Sequence, residues 1–185
     1  MRKSHWLLIL SLLFLSACGS HPQQEKTIVP FTFTDQHGQP FGTDNLTGTI
    51  WVTNFIFTNC TTVCPPMTIE MAKLQEQFHE KEIDAQFVSF TVDPSVDSPD
   101  VLNEYLQNFT DDDSNWHTLT GYSQETIETF AREQFQTMVQ KPSSSNQVIH
   151  GTNFYLIDRN GTFVNEYNYI DNSYVEEMIK DIQKR

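Results

Sequence analysis

Cysteine is scarce in this chain, with only three among 185 residues, at positions 18, 60 and 64. Base is also short: 11 Lys and Arg stand against 24 Asp and Glu, for a formal net charge of −13. No basic face is available to hold a phosphate backbone, so nucleic acid is excluded as a partner. A cationic partner or a metal ion fits the charge better, although a well-solvated acidic surface accounts for most of it. Long apolar runs are missing too. The longest, Trp6 to Leu15, is too short for a comfortable membrane span, and nothing after it approaches that length.

The start of the chain has a pattern of its own. Arg2 and Lys3 precede the apolar run, and Leu15-Ser16-Ala17 leads into Cys18. A basic start, a short apolar stretch and small residues before a cleavage point describe an export signal. With cysteine next in line, the segment resembles a bacterial lipobox. The resemblance implies a signal peptide over residues 1–17, cleavage before Cys18, and diacylglycerol on its sulfur. Two acyl chains suffice for stable anchoring, so the expected location is extracytoplasmic, on the membrane and not across it. Removing a leader that holds two bases and no acid leaves a net charge of −15. Gly19 to Thr27 is polar and reads as a flexible tether. The domain division is therefore a signal at 1–17, a lipidated cysteine and tether at 18–28, and one folded domain over 29–185. In that setting the sequons at Asn45, Asn59, Asn108 and Asn160 are chance matches.

With Cys18 committed to lipid, Cys60 and Cys64 are the only thiols. Outside the cytoplasm such a pair is free to form a disulfide. The loop they close is very short, which makes a poor structural staple. Their purpose is therefore redox chemistry or metal binding.

The hydrophobic pattern orders the elements. Phe31 to Thr34 alternates as a strand does, followed by a turn at Gln36-His37-Gly38. Ile50 to Phe57 is apolar, β-branched and aromatic, the composition of a buried central strand. Pro65 favours the first turn of a helix, and Met67, Met71, Leu74 and Phe78 lie on one helical face. Phe87 to Val92 is a second buried strand, and Val101 to Phe109 a second helix. Trp116 to Leu119 is a short third strand, and Ile127, Phe130 and Ala131 mark a third helix. Phe154 to Ile157 and Thr162 to Tyr167 flank Asn160-Gly161, a strong hairpin signal. Val175, Met178, Ile179 and Ile182 make a last amphipathic helix. This order predicts an α/β domain with a central mixed sheet flanked by helices, an N-terminal β-hairpin and a late β-hairpin. It fits a thioredoxin-like fold.

Phe57-Thr58-Asn59-Cys60-Thr61-Thr62-Val63-Cys64-Pro65 lies where a strand ends and a helix opens, which is where open α/β sheets place their ligand sites. A helix N-terminus lowers the pKa of a thiol placed there. Two thiolates suit Cu(I), and an added imidazole suits Cu(II) or zinc. Together with Val92-Asp93-Pro94, Asp97, Pro99, Val148-Ile149-His150 and Phe154-Tyr155-Leu156-Ile157, the motif resembles the Sco (SenC) family of copper-site assembly proteins. The resemblance runs from about Val29 to the C-terminus. It implies Cys60, Cys64 and His150 as copper ligands, with copper delivered to the binuclear centre of cytochrome c oxidase subunit II, or reduction of that centre's disulfide. A thiol reductant or another copper carrier is the implied second partner. Two positions depart from the family pattern. Thr61 replaces a common proline, and Ile149 replaces a common aspartate, which is expected to weaken orientation of the imidazole.

Asp93 follows a buried strand at its carboxyl end, where it reads equally as a turn former before Pro94 and as an outer partner of the cysteines. The other histidines carry no such signal. Met67 and Met71 have helical core spacing, and Asp111 to Asp113 read as a solvated loop. Three functions compete: a copper chaperone, a thiol–disulfide oxidoreductase on exported proteins, and a thiol peroxidase. The last lacks a peroxidatic motif. The first two share the cysteines, and His150 favours copper, since disulfide exchange needs no imidazole ligand.

Overall fold

In a computed structural model that describes residues 26–185, the central strand β3 (Ile50–Ile56) is buried along its whole length. The Arg2 to Leu15 leader, Cys18 and the tether up to Glu25 lie outside the described residues. Pairing on both sides of β3 explains why it reads as a nearly continuous apolar run. On one side β4 (Ala85–Thr91) runs parallel to it, and β5 (Trp116–Leu119) parallel to β4. On the other side β8 (Asn153–Ile157) is antiparallel to β3, and β9 (Phe163–Asn168) antiparallel to β8. The sheet order is β5-β4-β3-β8-β9. This is the expected mixed sheet, closed by the expected late hairpin. Its turn is held by Asp158 Oδ1, which accepts from the amides of Asn160 and Thr162, and by Gly161 at φ +75°.

The alternation of β3 divides the core. Trp51 and Phe55 face Phe31, Phe90, Ile127, Phe130 and Phe135. Ile50, Val52 and Ile56 face Met67, Met71, Leu74, Phe78, Leu102 and Met178. The first face is covered by the N-terminal hairpin, β1 (Thr32–Thr34) with β2 (Pro40–Gly42), and by α4 (Gln124–Phe135). The second is covered by α2 (Cys64–Glu80), α3 (Pro99–Leu106) and α5 (Tyr174–Ile182). Two features had no clear sequence signal. One is the single-turn helix α1 (Thr43–Leu46). The other is a two-stranded ribbon, β6 (Val139–Gln140) with β7 (Ile149–His150), bracketing the polar loop 141–148. No helix among the described residues is long and apolar enough to cross a membrane.

Candidate metal centre

The site forms where β3 gives way to α2. The chain leaves the sheet at Phe57, turns with the Cys60 amide donating to the Phe57 carbonyl (3.2 Å), and enters the helix at Cys64. Pro65 and Pro66 occupy the first helical turn, where the amide they lack has no intrahelical acceptor to lose. The free amide of Cys64 points at the other sulfur, with its N–H 3.3 Å from Cys60 Sγ. Both cysteines are buried and reduced.

His150 arrives from the β6–β7 ribbon, 86 residues along the chain from Cys64. Its register partner Val139 is buried in the core beneath it. Imidazole Nε2 lies 3.4 Å from Cys64 Sγ, and the ring meets the Phe57 ring edge-on at 5.6 Å. Nδ1 donates to the Gly151 carbonyl at 2.8 Å, which turns Nε2 towards the two sulfurs. Orientation of the imidazole, which Ile149 was expected to weaken, is thus supplied by main chain. An outer acceptor that fixes the tautomer of a ligating histidine is the usual arrangement.

The two sulfurs and Nε2 all lie within 4.8 Å of one another, the one such group of three among the described residues. Donors that share an ion at about 2.0–2.3 Å sit at most about 4.6 Å apart. An ion therefore needs only small side-chain shifts to engage all three. Two thiolates and an imidazole form a soft donor set suited to copper or zinc.

The two thiols are not equivalent. Burial pushes the Cys60 thiol up, but hydrogen bonds from His150, from Cys64 and from the backbone at Thr62 and Cys64 outweigh it and bring the pKa down to about 5. Burial pushes the Cys64 thiol up, and the adjoining Cys60 sulfur adds to the rise, against a hydrogen bond from the Phe57 backbone. Of the two, Cys60 is therefore the thiol that ionises more readily and Cys64 the one that holds its proton.

Asp93 is buried, but its Oδ1 is taken by Lys141 Nζ (2.6 Å) and Ser95 Oγ (2.9 Å). Besides the ribbon, where Lys141 directly follows β6, it meets the site through its main chain, with its carbonyl accepting from the Asp97 amide (3.0 Å). The carboxylate that reaches the cysteine loop is Asp97, which accepts from the Thr58 amide and hydroxyl. The sequence showed Asp97 only as part of a motif, with nothing to indicate these bonds. His37 pairs with Asp113 (3.2 Å), and His117 stacks on Phe41. Neither joins the sulfurs.

A reactive cysteine pair at a helix start, with a histidine brought over it from the far side of the sheet, defines a thioredoxin-like thiol protein equipped to hold a soft metal. The chain belongs to the SCO1/SenC family, whose model matches residues 19–185. It is 40% identical over 177 residues to the SCO1 protein homolog of Bacillus subtilis, covering 94% of this chain and 92% of that protein. A SCO1/SenC family lipoprotein from Bacillus anthracis superposes with a TM-score of 0.83 at 51% identity, over 87% of this chain and 95% of that one. BsSco, a member of the Sco family of cytochrome c oxidase assembly proteins in which a disulfide switch has been identified, superposes at 0.79 with 40% identity, over 87% and 94%. ScoI of Arabidopsis thaliana with copper bound gives 0.74 and 26%, over 86% and 100%.

Proposed function

We propose that this chain carries one copper ion on Cys60, Cys64 and His150 and uses it to mature the binuclear copper centre of cytochrome c oxidase subunit II. The convergence of three soft donors within 4.8 Å carries this reading. Support comes from the copper bound by the Arabidopsis relative and from the oxidase-assembly role of BsSco. The work takes place outside the cytoplasm: residues 1–17 are removed as a signal, Cys18 bears the lipid anchor, and a tether from residue 19 lets the domain reach its partner. That domain already includes Thr27, bridged to Thr162, and the buried Ile28. The lipoprotein character of the Bacillus anthracis relative supports the anchor. Another copper carrier or a thiol reductant supplies the reduced, loaded form.

The difference between the two thiols favours a second reading, a thiol–disulfide oxidoreductase. The Cys60 thiolate attacks a disulfide of the exported target and forms a mixed disulfide. Cys64 then displaces the target's second sulfur. The Cys64 proton passes to the target, which leaves as one thiol and one thiolate that takes its proton from solvent, while Cys60 and Cys64 are left joined, so electrons and protons balance.

The test is copper uptake by the soluble domain. Reduced protein should bind one copper per chain and fully oxidised protein essentially none, because a disulfide offers no thiolate. Equal uptake by both forms removes the cysteines from the site. In a deletion strain, recovery of oxidase activity with added copper supports delivery, and recovery only with a thiol reductant supports the oxidoreductase.

A further inference from the structure

Asp97 has no solvent exposure and, among the described residues, no cation partners its carboxylate. Its oxygens accept from the Thr58 amide (3.2 Å to Oδ2), the Thr58 hydroxyl (2.5 Å to Oδ1) and the Thr91 hydroxyl. Its own main chain is held as well. The Asp97 amide donates to the Asp93 carbonyl (3.0 Å), and the Thr120 hydroxyl donates to the Asp97 carbonyl (2.8 Å). The side chain thus ties the point where β3 becomes the cysteine loop to the last residue of β4, and the main-chain carbonyl adds the residue after β5. A fold that only needed volume at this place would be served better by an apolar side chain, since a buried carboxylate without a cation is costly to desolvate.

Thr58 is two residues from Cys60, and the chain between them makes a single tight turn. Cys64 is fixed independently by α2, and His150 by the ribbon. Cys60 is therefore the ligand whose position depends on the loop, and the loop is anchored at Thr58. We infer that Asp97 is a positioning residue for the cysteine pair: through Thr58 it holds Cys60 Sγ within reach of Cys64 and His150 before any metal arrives. The inference rests on Cys60 and Cys64 being the working thiols, whichever of the two functions they serve.

Three variants test it. In Asp97→Asn, Oδ1 still accepts from the Thr58 hydroxyl and Nδ2 donates to the Thr91 hydroxyl, while the Thr58 amide loses its bond to Oδ2, so most of the anchor survives without charge. In Asp97→Ala the anchor is gone. In Thr58→Val the hydroxyl bond is lost while the amide bond stays. The readouts are the Cu(II) thiolate charge-transfer spectrum, Cu(II) affinity, and the thiol–disulfide equilibrium against a dithiothreitol buffer. The last needs no copper, so failure of the wild type to bind copper defeats the proposed function and leaves this inference testable. Asp97→Ala should shift the spectrum, weaken Cu(II) binding by about tenfold or more, and move the disulfide equilibrium. Asp97→Asn should restore most of each, with Thr58→Val in between. A folded Asp97→Ala protein with the wild-type spectrum and disulfide equilibrium overturns the inference. If Asp97→Ala does not fold, Thr58→Val decides alone, and wild-type behaviour in all three readouts overturns the inference equally.

Discussion

At the scale of single residues, the site divides its labour by softness and charge. Two thiolates satisfy Cu(I) in a near-linear arrangement, whereas Cu(II) takes more ligands and accepts nitrogen readily. His150→Ala should therefore still take up Cu(I) but lose much of its Cu(II) affinity, with a changed thiolate-to-copper absorption. Titration with each ion, anaerobic for Cu(I), checks this, and an unchanged Cu(II) affinity and spectrum would remove His150 from the site. The lowered Cys60 thiol makes a second prediction. Its folded pKa of about 5 lies below the ordinary 9.0, so the ionised form is favoured by folding. That stabilisation is fully present above pH 9 and is lost as pH falls from about 9 to about 5. The raised Cys64 thiol acts in the opposite sense, costing stability only as pH climbs above its ordinary value. Melting of reduced protein should accordingly show the gap between wild type and Cys60→Ser narrowing from pH 9 towards pH 5. A gap constant over that range would mean that Cys60 titrates as an ordinary thiol.

At the scale of elements, the strands and helices that bury a continuous or periodic apolar face were legible, because burial on the sheet imposes the pattern directly. Ile50 to Phe57 was read as a strand, and the structure gives Ile50–Ile56. The helix read from Met67, Met71, Leu74 and Phe78 runs Cys64–Glu80. Even the position of His150 before the late hairpin could be read, since motif and order agreed. The β6–β7 ribbon could not, because two-residue strands are too short for alternation, and its stability comes from contacts distant in sequence. Val139 packs into the core, and Lys141 reaches Asp93, 48 residues away. For the same reason Asp93 stayed open between a turn former and an outer partner of the cysteines, and the bonds from Thr58 to Asp97, across 39 residues, carried no local signal. The Lys141–Asp93 pair joins the end of β6 to the segment after β4, and is expected to hold down the ribbon that carries His150. Lys141→Met leaves a buried carboxylate with Ser95 alone, and should cost about 3 kcal/mol with faster amide exchange over residues 139–150. Adding Asp93→Asn to that variant should recover much of the loss. If the double variant is as unstable as the two single changes summed, the pair is not acting as a latch.

At the scale of the whole molecule, the two states open to the cysteines cross-link the chain very differently. A disulfide between Cys60 and Cys64 closes a ring of a few residues within one loop. In the chain-entropy account a ring that small contributes only about 2 kcal/mol, and it joins no element to another. A copper ion shared with His150, as proposed, would instead bridge the start of α2 to β7 across 86 residues and so tie the β3–α2 half of the domain to the ribbon and the late hairpin. Any ligand bound only by the folded state adds stability that grows with its concentration, about 4 kcal/mol at a thousandfold excess over Kd. For a domain of this size each kcal/mol moves the unfolding midpoint by about 2–4 °C. Saturating copper should therefore raise Tm of the reduced protein by roughly 8–16 °C, and oxidation by at most about half of that. The two effects should also differ in kind: the copper shift rises with free copper, whereas the disulfide shift is fixed. His150→Ala should lose most of the Cu(II) shift and keep all of the disulfide shift, since the imidazole supplies the long-range arm of one cross-link and no part of the other. Calorimetry on reduced, oxidised and Cu(II)-loaded forms of both proteins separates these cases. Equal shifts for copper and for the disulfide in the wild type would mean that the metal sits on the cysteine loop alone and that the ribbon does not close over it.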